Sequence, residues 1–91
     1  MKTKIQVFMV EDNKDVVTEV KKYFSSKNVG VEIVGSCSNG EDALIELKKN
    51  YESYDLVLMD LVIPKRDGLS VLEELKKENI NIKSIITTCI N

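Results

Sequence analysis

The stretch Leu56-Val57-Leu58-Met59-Asp60-Leu61-Val62-Ile63-Pro64-Lys65-Arg66-Asp67-Gly68 decides how the chain folds. Its first four residues form the most hydrophobic run in the sequence, and the run stops at Asp60. A run that short, with no alternation of apolar and polar residues, reads as a strand buried on both faces, the mark of a parallel sheet covered by helices. Pro64 to Gly68 is rich in turn formers, so the chain leaves the strand and changes direction. Leu69, Leu72 and Leu75, with Val71, then recur at helical spacing and predict a helix that stops near Asn79.

The same grammar repeats outward from this unit. Upstream, Ile5 to Val10 is a bulky apolar run ended by Glu11-Asp12-Asn13, a first strand. Val16, Val17, Val20, Tyr23 and Phe24 mark a helix, capped by Asn13 or Asp15 and ended by Asn28-Val29-Gly30. Val31 to Gly35 reads as a second strand and Ser38-Asn39-Gly40 as a turn. Ala43, Leu44 and Leu47 then give a narrow stripe on a helix from about Glu41 to Lys49. Downstream, Ile82 to Thr88 reads as a fourth strand centred on Ile85 and Ile86. The order β-α-β-α-β-α-β with short connections calls for an α/β fold: a doubly wound parallel sheet with right-handed crossovers and helices on both faces. No repeat, low-complexity stretch or linker interrupts it, so residues 1–91 are expected to form a single domain.

Composition narrows the chemistry. The 91 residues carry 13 Lys+Arg against 15 Asp+Glu, which argues against a basic nucleic-acid module. There is no histidine, so a Ser-His-Asp triad or a His-rich metal site is excluded. No Gly is followed by Lys and then Ser or Thr, which removes a P-loop nucleotidase. Cys37 and Cys89 lie far apart with no signal peptide ahead of them, so free thiols in a cytoplasmic protein are expected. No run approaches a membrane span, and no membrane partner is expected.

In open parallel sheets, ligands gather at the carboxyl ends of the strands. The first strand here ends in Glu11 and Asp12, the third in Asp60 and the fourth in Thr87 and Thr88. If strands one, three and four are neighbours, three carboxylates and a hydroxyl meet in one pocket. Carboxylates packed that closely need protons or a cation, and hard oxygen ligands open to water suit Mg²⁺. One carboxylate beside such a cation can attack phosphorus and form an aspartyl phosphate. Acidic residues at strand ends also commonly do no more than solvate loops. The placement of Asp60 directly after four apolar residues weighs against that reading.

Asp60 followed by Pro64 and by Asp67-Gly68 resembles the phosphoacceptor loop of response-regulator receiver domains in two-component systems. Val10-Glu11-Asp12-Asn13 is similar to that family's acidic start, and Ser38-Asn39-Gly40-Glu41-Asp42-Ala43-Leu44 to its second-helix entry. Within the family, the Asp60 to Leu75 stretch and the Asn-Gly entry look most like sporulation-type regulators. The resemblance implies a flavodoxin-like receiver fold and a signalling phosphoacceptor rather than an enzyme proper. It makes Asp60 the nucleophile that takes a phosphoryl group from the phosphohistidine of a histidine kinase or phosphotransfer protein. It makes Asp12 a direct Mg²⁺ ligand, Glu11 a ligand through water, Asp60 a further ligand and the backbone carbonyl of Val62 the last protein ligand. Thr88 takes the role of switch hydroxyl, with Thr87 the alternative, because Thr88-Cys89 better fits the family's hydroxyl-then-small step. The histidine this chain lacks would belong to its partner.

The remaining residues of the motifs have structural readings. Pro64 would stiffen the loop, Gly68 would supply a positive φ, and Asp67 would cap the third helix. Tyr23, Phe24, Tyr51 and Tyr54 read as packing residues, and Lys48-Lys49 and Lys76-Lys77 as favourable charges near helix ends.

The match also departs from the family. A receiver normally continues with a helix, a fifth strand bearing a lysine, and a last helix, and this helix-strand-helix portion is lacking. Strand four would then be an open edge beside an apolar patch, and a truncated receiver or self-association through that edge is expected. Cys89 replaces the usual Ala or Gly. A receiver-like module that binds a partner without phosphorylation is the alternative. A flavodoxin-like electron carrier fits less well, because an acidic pair after the first strand would repel a flavin phosphate.

Overall fold

The computed structural model describes residues 4–60, 63 and 65–87, and the fold is an α/β sandwich. The elements run β1 (Ile5–Val10), α1 (Lys14–Lys27), β2 (Val31–Cys37), α2 (Gly40–Asn50), a short 3₁₀ turn (Tyr51–Ser53), β3 (Leu56–Asp60), α3 (Gly68–Lys77) and β4 (Ser84–Thr87). All pairings are parallel and the sheet order is β2-β1-β3-β4, so the doubly wound arrangement expected from the sequence is observed.

Two apolar layers cover the sheet. Phe8, Val10, Val57 and Met59 point to one face and pack with Ala43, Leu44 and Leu47 of α2 and Val71 and Leu75 of α3. Val7, Met9 and Ile33 point to the other and pack under Val17, Val20 and Phe24 of α1. β1 is therefore buried on both sides, as its unbroken apolar run requires. On α1, Val17, Val20 and Phe24 form the inward stripe, whereas Val16 and Tyr23, also assigned to the periodic pattern, are exposed. Leu69 likewise lies outside on α3.

The helix ends follow local chemistry. Asn13 caps α1 by accepting from the Asp15 N–H, and Asn28 closes it with a left-handed φ of 51°. Asn39 caps α2 by accepting from Asp42 N, and Asp67 caps α3 by accepting from Ser70 N, the latter as expected. Lys48, Lys49, Lys76 and Lys77 occupy last turns, where they favour the helix dipole.

Two strand bounds and one backbone conformation differ from the sequence reading. β2 runs on to Cys37 because Met9 and Val10 pair with Ser36 and Cys37, after a shift between Val7 and Phe8 that skips Val34. Pairing with a fully ordered neighbour outweighs the weak strand preference of Gly35 and Ser36. β4 starts at Ser84 rather than Ile82, since Ile82 packs against the core ahead of the strand. Gly68 has no positive φ; that conformation falls on Lys65, at 67°. Gly68 is required instead for space, because a Cβ there would sit 2.9 Å from the Met59 sulfur and 3.0 Å from the Asp60 carbonyl oxygen. Pro64 and Cys89 lie outside the described residues.

Candidate functional site

β1 and β3 are adjacent, with Val10 opposite Met59, so the residues that follow each strand emerge side by side. Glu11 and Asp12 leave β1 and Asp60 ends β3. The Glu11 N–H donates to the Cys37 carbonyl at 3.0 Å, which extends the sheet contact and fixes where its side chain starts. The Glu11 carboxylate in turn accepts from the Asn13 N–H at 3.1 Å. Asn13 is the N-cap of α1, so the positive end of that helix lies beside the acids.

One carboxylate oxygen each from Glu11, Asp12 and Asp60 lie within 4.8 Å of one another. Asp60 is 8% exposed, Glu11 is half-buried and Asp12 is open to solvent. Burial pushes the Glu11 carboxyl above its ordinary range; Asp12 and Asp60 add to that push, against the Asn13 N–H that favours the charged form. The donor set fits a small hard cation. A cleft of about 390 Å³ between the start of α1 and the end of β2 opens beside Glu11 and gives solvent access from that side.

Thr87 pairs with Asp60 across β3 and β4, but its hydroxyl donates to the Met59 carbonyl at 3.4 Å and so leans on the sheet. Thr88 and Val62 lie outside the described residues. The expected convergence therefore holds for the three carboxylates and for β4, which carries Thr87. Two residues near the site had no functional reading in the sequence. Gly40 lies against the Arg66 backbone, and Arg66 reaches Ser70 and Glu74 on α3. Arg66 precedes the Asp67 cap and lies outside α3, so helical spacing gave no signal for its contacts with Ser70 and Glu74.

The sequence profile of the response regulator receiver domain matches residues 7–91. The chain belongs to the response regulator receiver family. This receiver domain is 33% identical over 87 residues to a probable C4-dicarboxylate response regulator DctR of Halalkalibacterium halodurans, covering 96% of this chain and 36% of that protein. It is 34% identical over 85 residues to the response regulator VraR of Staphylococcus saprophyticus, covering 92% of this chain and 39% of the relative. The chain thus spans little more than a third of the length of these relatives. Among solved structures, a CheX–CheY–BeF3–Mg²⁺ complex from Borrelia burgdorferi superposes with a TM-score of 0.81 at 28% identity, covering 94% of this chain and 63% of that one. The signal receiver domain of a NarL regulator from Mycobacterium tuberculosis gives a TM-score of 0.81 at 22% identity, over 97% and 68% of the two chains, and speaks for the fold alone. No helix among the described residues is long and apolar enough to cross a membrane.

Proposed function

We propose that this receiver domain takes a phosphoryl group onto Asp60 from a phosphohistidine on a histidine kinase or phosphotransfer protein. The observation that carries the reading is the meeting of Asp60 with Glu11 and Asp12 within 4.8 Å at the carboxyl ends of the two central strands. Receiver domains work with such donors, and the lack of any histidine in this chain is consistent with the imidazole coming from a partner.

Glu11, Asp12 and Asp60 would hold Mg²⁺, with the Val62 carbonyl as a further ligand, and the CheY complex that contains Mg²⁺ and BeF3 supports this choice. When bound, the cation supplies positive charge that lets an anionic carboxylate approach an anionic phosphoryl group. An Asp60 oxygen forms the new bond to phosphorus while the phosphorus–nitrogen bond breaks, and the departing imidazole keeps the electron pair and takes a proton. Glu11 and Asp12 keep the site anionic and the cation in place. Thr88 would hydrogen-bond the transferred group, and Thr87 is less suited because its hydroxyl already leans on the Met59 carbonyl. A partner-binding module without phosphorylation would have no use for three carboxylates held this close, so the acceptor reading is preferred.

The test is incubation of the full chain with Mg²⁺ and a small acyl phosphate, followed by intact-mass measurement. A single phosphoryl addition is expected for the parent and none for Asp60→Asn. Full labelling of Asp60→Asn would overturn the assignment.

A further inference from the structure

The cleft that opens beside Glu11 carries a charge that the acidic cluster does not use. Its volume is about 390 Å³. Glu11 lines it on the side of the cluster, Lys14, Val17 and Thr18 on the side of α1, and Ser36 and Ser38 where β2 ends. Lys14 is the one cation among these residues and is exposed. Its place runs against local electrostatics. Lys14 is the first residue of α1, where the helix dipole favours anions and disfavours an ammonium, and the acid of that first turn is Asp15. The residues three and four further on, Val17 and Thr18, carry no carboxylate to pair with it, and the Thr18 hydroxyl donates to the Lys14 carbonyl at 3.0 Å. Among the described residues Lys14 forms no ion pair, with Glu11 or any other. A charge that works against its own helix and stands unpaired in a cleft beside three carboxylates marks a functional position rather than a structural one.

We propose that Lys14 captures the phosphoryl donor: its ammonium holds the anionic phosphoryl oxygens of the donor in this cleft, beside Glu11, ahead of transfer to Asp60. This rests on the acceptor reading above and adds to it a binding contact for the donor. A phosphoryl dianion that approaches Glu11, Asp12 and Asp60 meets three negative charges, of which a bound divalent cation offsets two. The ammonium at the cleft supplies further positive charge on the side open to solvent, where it attracts the donor as it arrives. Ser36 and Ser38 line the opposite side of the cleft and offer hydroxyl donors to the same oxygens. Lys14 keeps its proton throughout and forms no bond to phosphorus. It sets the affinity for the donor, whereas the cluster carries out the transfer.

The test labels the full chain with acetyl phosphate at fixed Mg²⁺ and reads the rate against donor concentration by intact mass. Inorganic phosphate with Mg²⁺, followed by amide NMR spectra, serves as an anion that cannot be transferred. Lys14→Ala, Lys14→Arg and Lys14→Glu are compared with the parent, each with a urea unfolding curve. Lys14→Ala is expected to raise the half-saturating concentration of both anions about 3- to 10-fold at about 0.1 M salt, with the maximal labelling rate within about twofold. Lys14→Glu should raise it further, and Lys14→Arg should stay within about twofold of the parent because the charge is kept. At about 1 M salt, where charges are screened beyond about 3 Å, the differences should shrink. The urea midpoint should hold or rise in Lys14→Ala and rise in Lys14→Glu, because an unfavourable charge leaves the start of the helix; a structural role for Lys14 requires the opposite sign. Half-saturation of Lys14→Ala within about twofold of the parent overturns the proposal, as does an equal rise in Lys14→Arg or a rise matched by a fall in urea midpoint. A parent that binds phosphate but is never labelled refutes the acceptor reading and leaves the phosphate comparison to decide the role of Lys14. A parent that does neither overturns both.

Discussion

Replacing Gly40 by alanine sets two effects of opposite sign against each other. Gly40 is the first residue of α2, and an alanine in a helix is ordinarily better than glycine by about 0.5–1 kcal/mol. Here the added methyl group would lie 2.7 Å from the Arg66 carbonyl carbon and closer still to its oxygen. Carbon atoms in contact sit at about 3.5 Å or more, so the two backbones must part by about 0.8 Å or beyond. The contact is with main chain, which cannot rotate aside, and Asp67 and Arg66 hold that main chain against α3. Overpacking of this kind costs about 1–3 kcal/mol, so the net result is a loss of about 1–2 kcal/mol. For a domain of this size that is a fall in Tm of about 5–15 °C. Urea unfolding followed by far-ultraviolet circular dichroism measures it directly, with a lower midpoint and an unchanged slope. Gly35→Ala is the control, because its methyl group would meet only the Phe8 ring at 3.1 Å and the Tyr54 hydroxyl at 3.3 Å, both of them side chains. A Gly40→Ala protein as stable as the parent, or a Gly35→Ala protein that loses more, would refute the reasoning.

The other expectations are simpler. Leu47 is fully buried between α2 and the sheet, so Leu47→Ala should cost about 2–5 kcal/mol in urea, while Ile45→Ala at an exposed position should stay within about 0.5 kcal/mol. Asp67→Ala removes the acceptor for the Ser70 N–H at 2.8 Å and should cost about 1 kcal/mol, largely recovered by Asp67→Ser. Burial pushes the Cys37 thiol up to about 11, so iodoacetamide at pH 8 should modify it about tenfold more slowly in the native chain than in urea, read peptide by peptide; equal rates would contradict this. Burial and then the Glu46 carboxylate also push Tyr54 up to about 12. Both groups hold their protons more tightly when folded, so their contribution is complete below about pH 9 and is lost as pH rises toward about 12; Tyr54→Phe should flatten that decline.

Much of this architecture was readable because its signals are local. Ile5–Val10 and Leu56–Asp60 are bounded by the change from apolar to acidic residues, and Asn13 and Asp67 cap helices by contacts two or three residues away. The three carboxylates were legible for the same reason: each follows a strand that the periodicity had already placed. What escaped depends on partners distant in sequence. The extension of β2 to Cys37 is imposed by β1 across a shifted register. The exposure of Val16 and Tyr23 follows from which side of α1 meets the sheet, and an apolar pattern broad enough for two faces does not settle that. The seat of Arg66 against Gly40 and Glu74 joins segments from α2 and α3 that no spacing rule connects.

The strand order also separates two kinds of mobility. Glu11, Asp12 and Asp60 extend from β1 and β3, the inner strands, whose amides are bonded on both sides and should exchange with solvent slowest. Thr87 ends β4, which pairs only with β3 among the described residues and whose Ile85 and Ile86 are 51% and 39% exposed. Its amides should open far more readily. The three carboxylates thus extend from the slowest-breathing strands of the described fold, whereas Thr87 ends a strand whose backbone opens more readily.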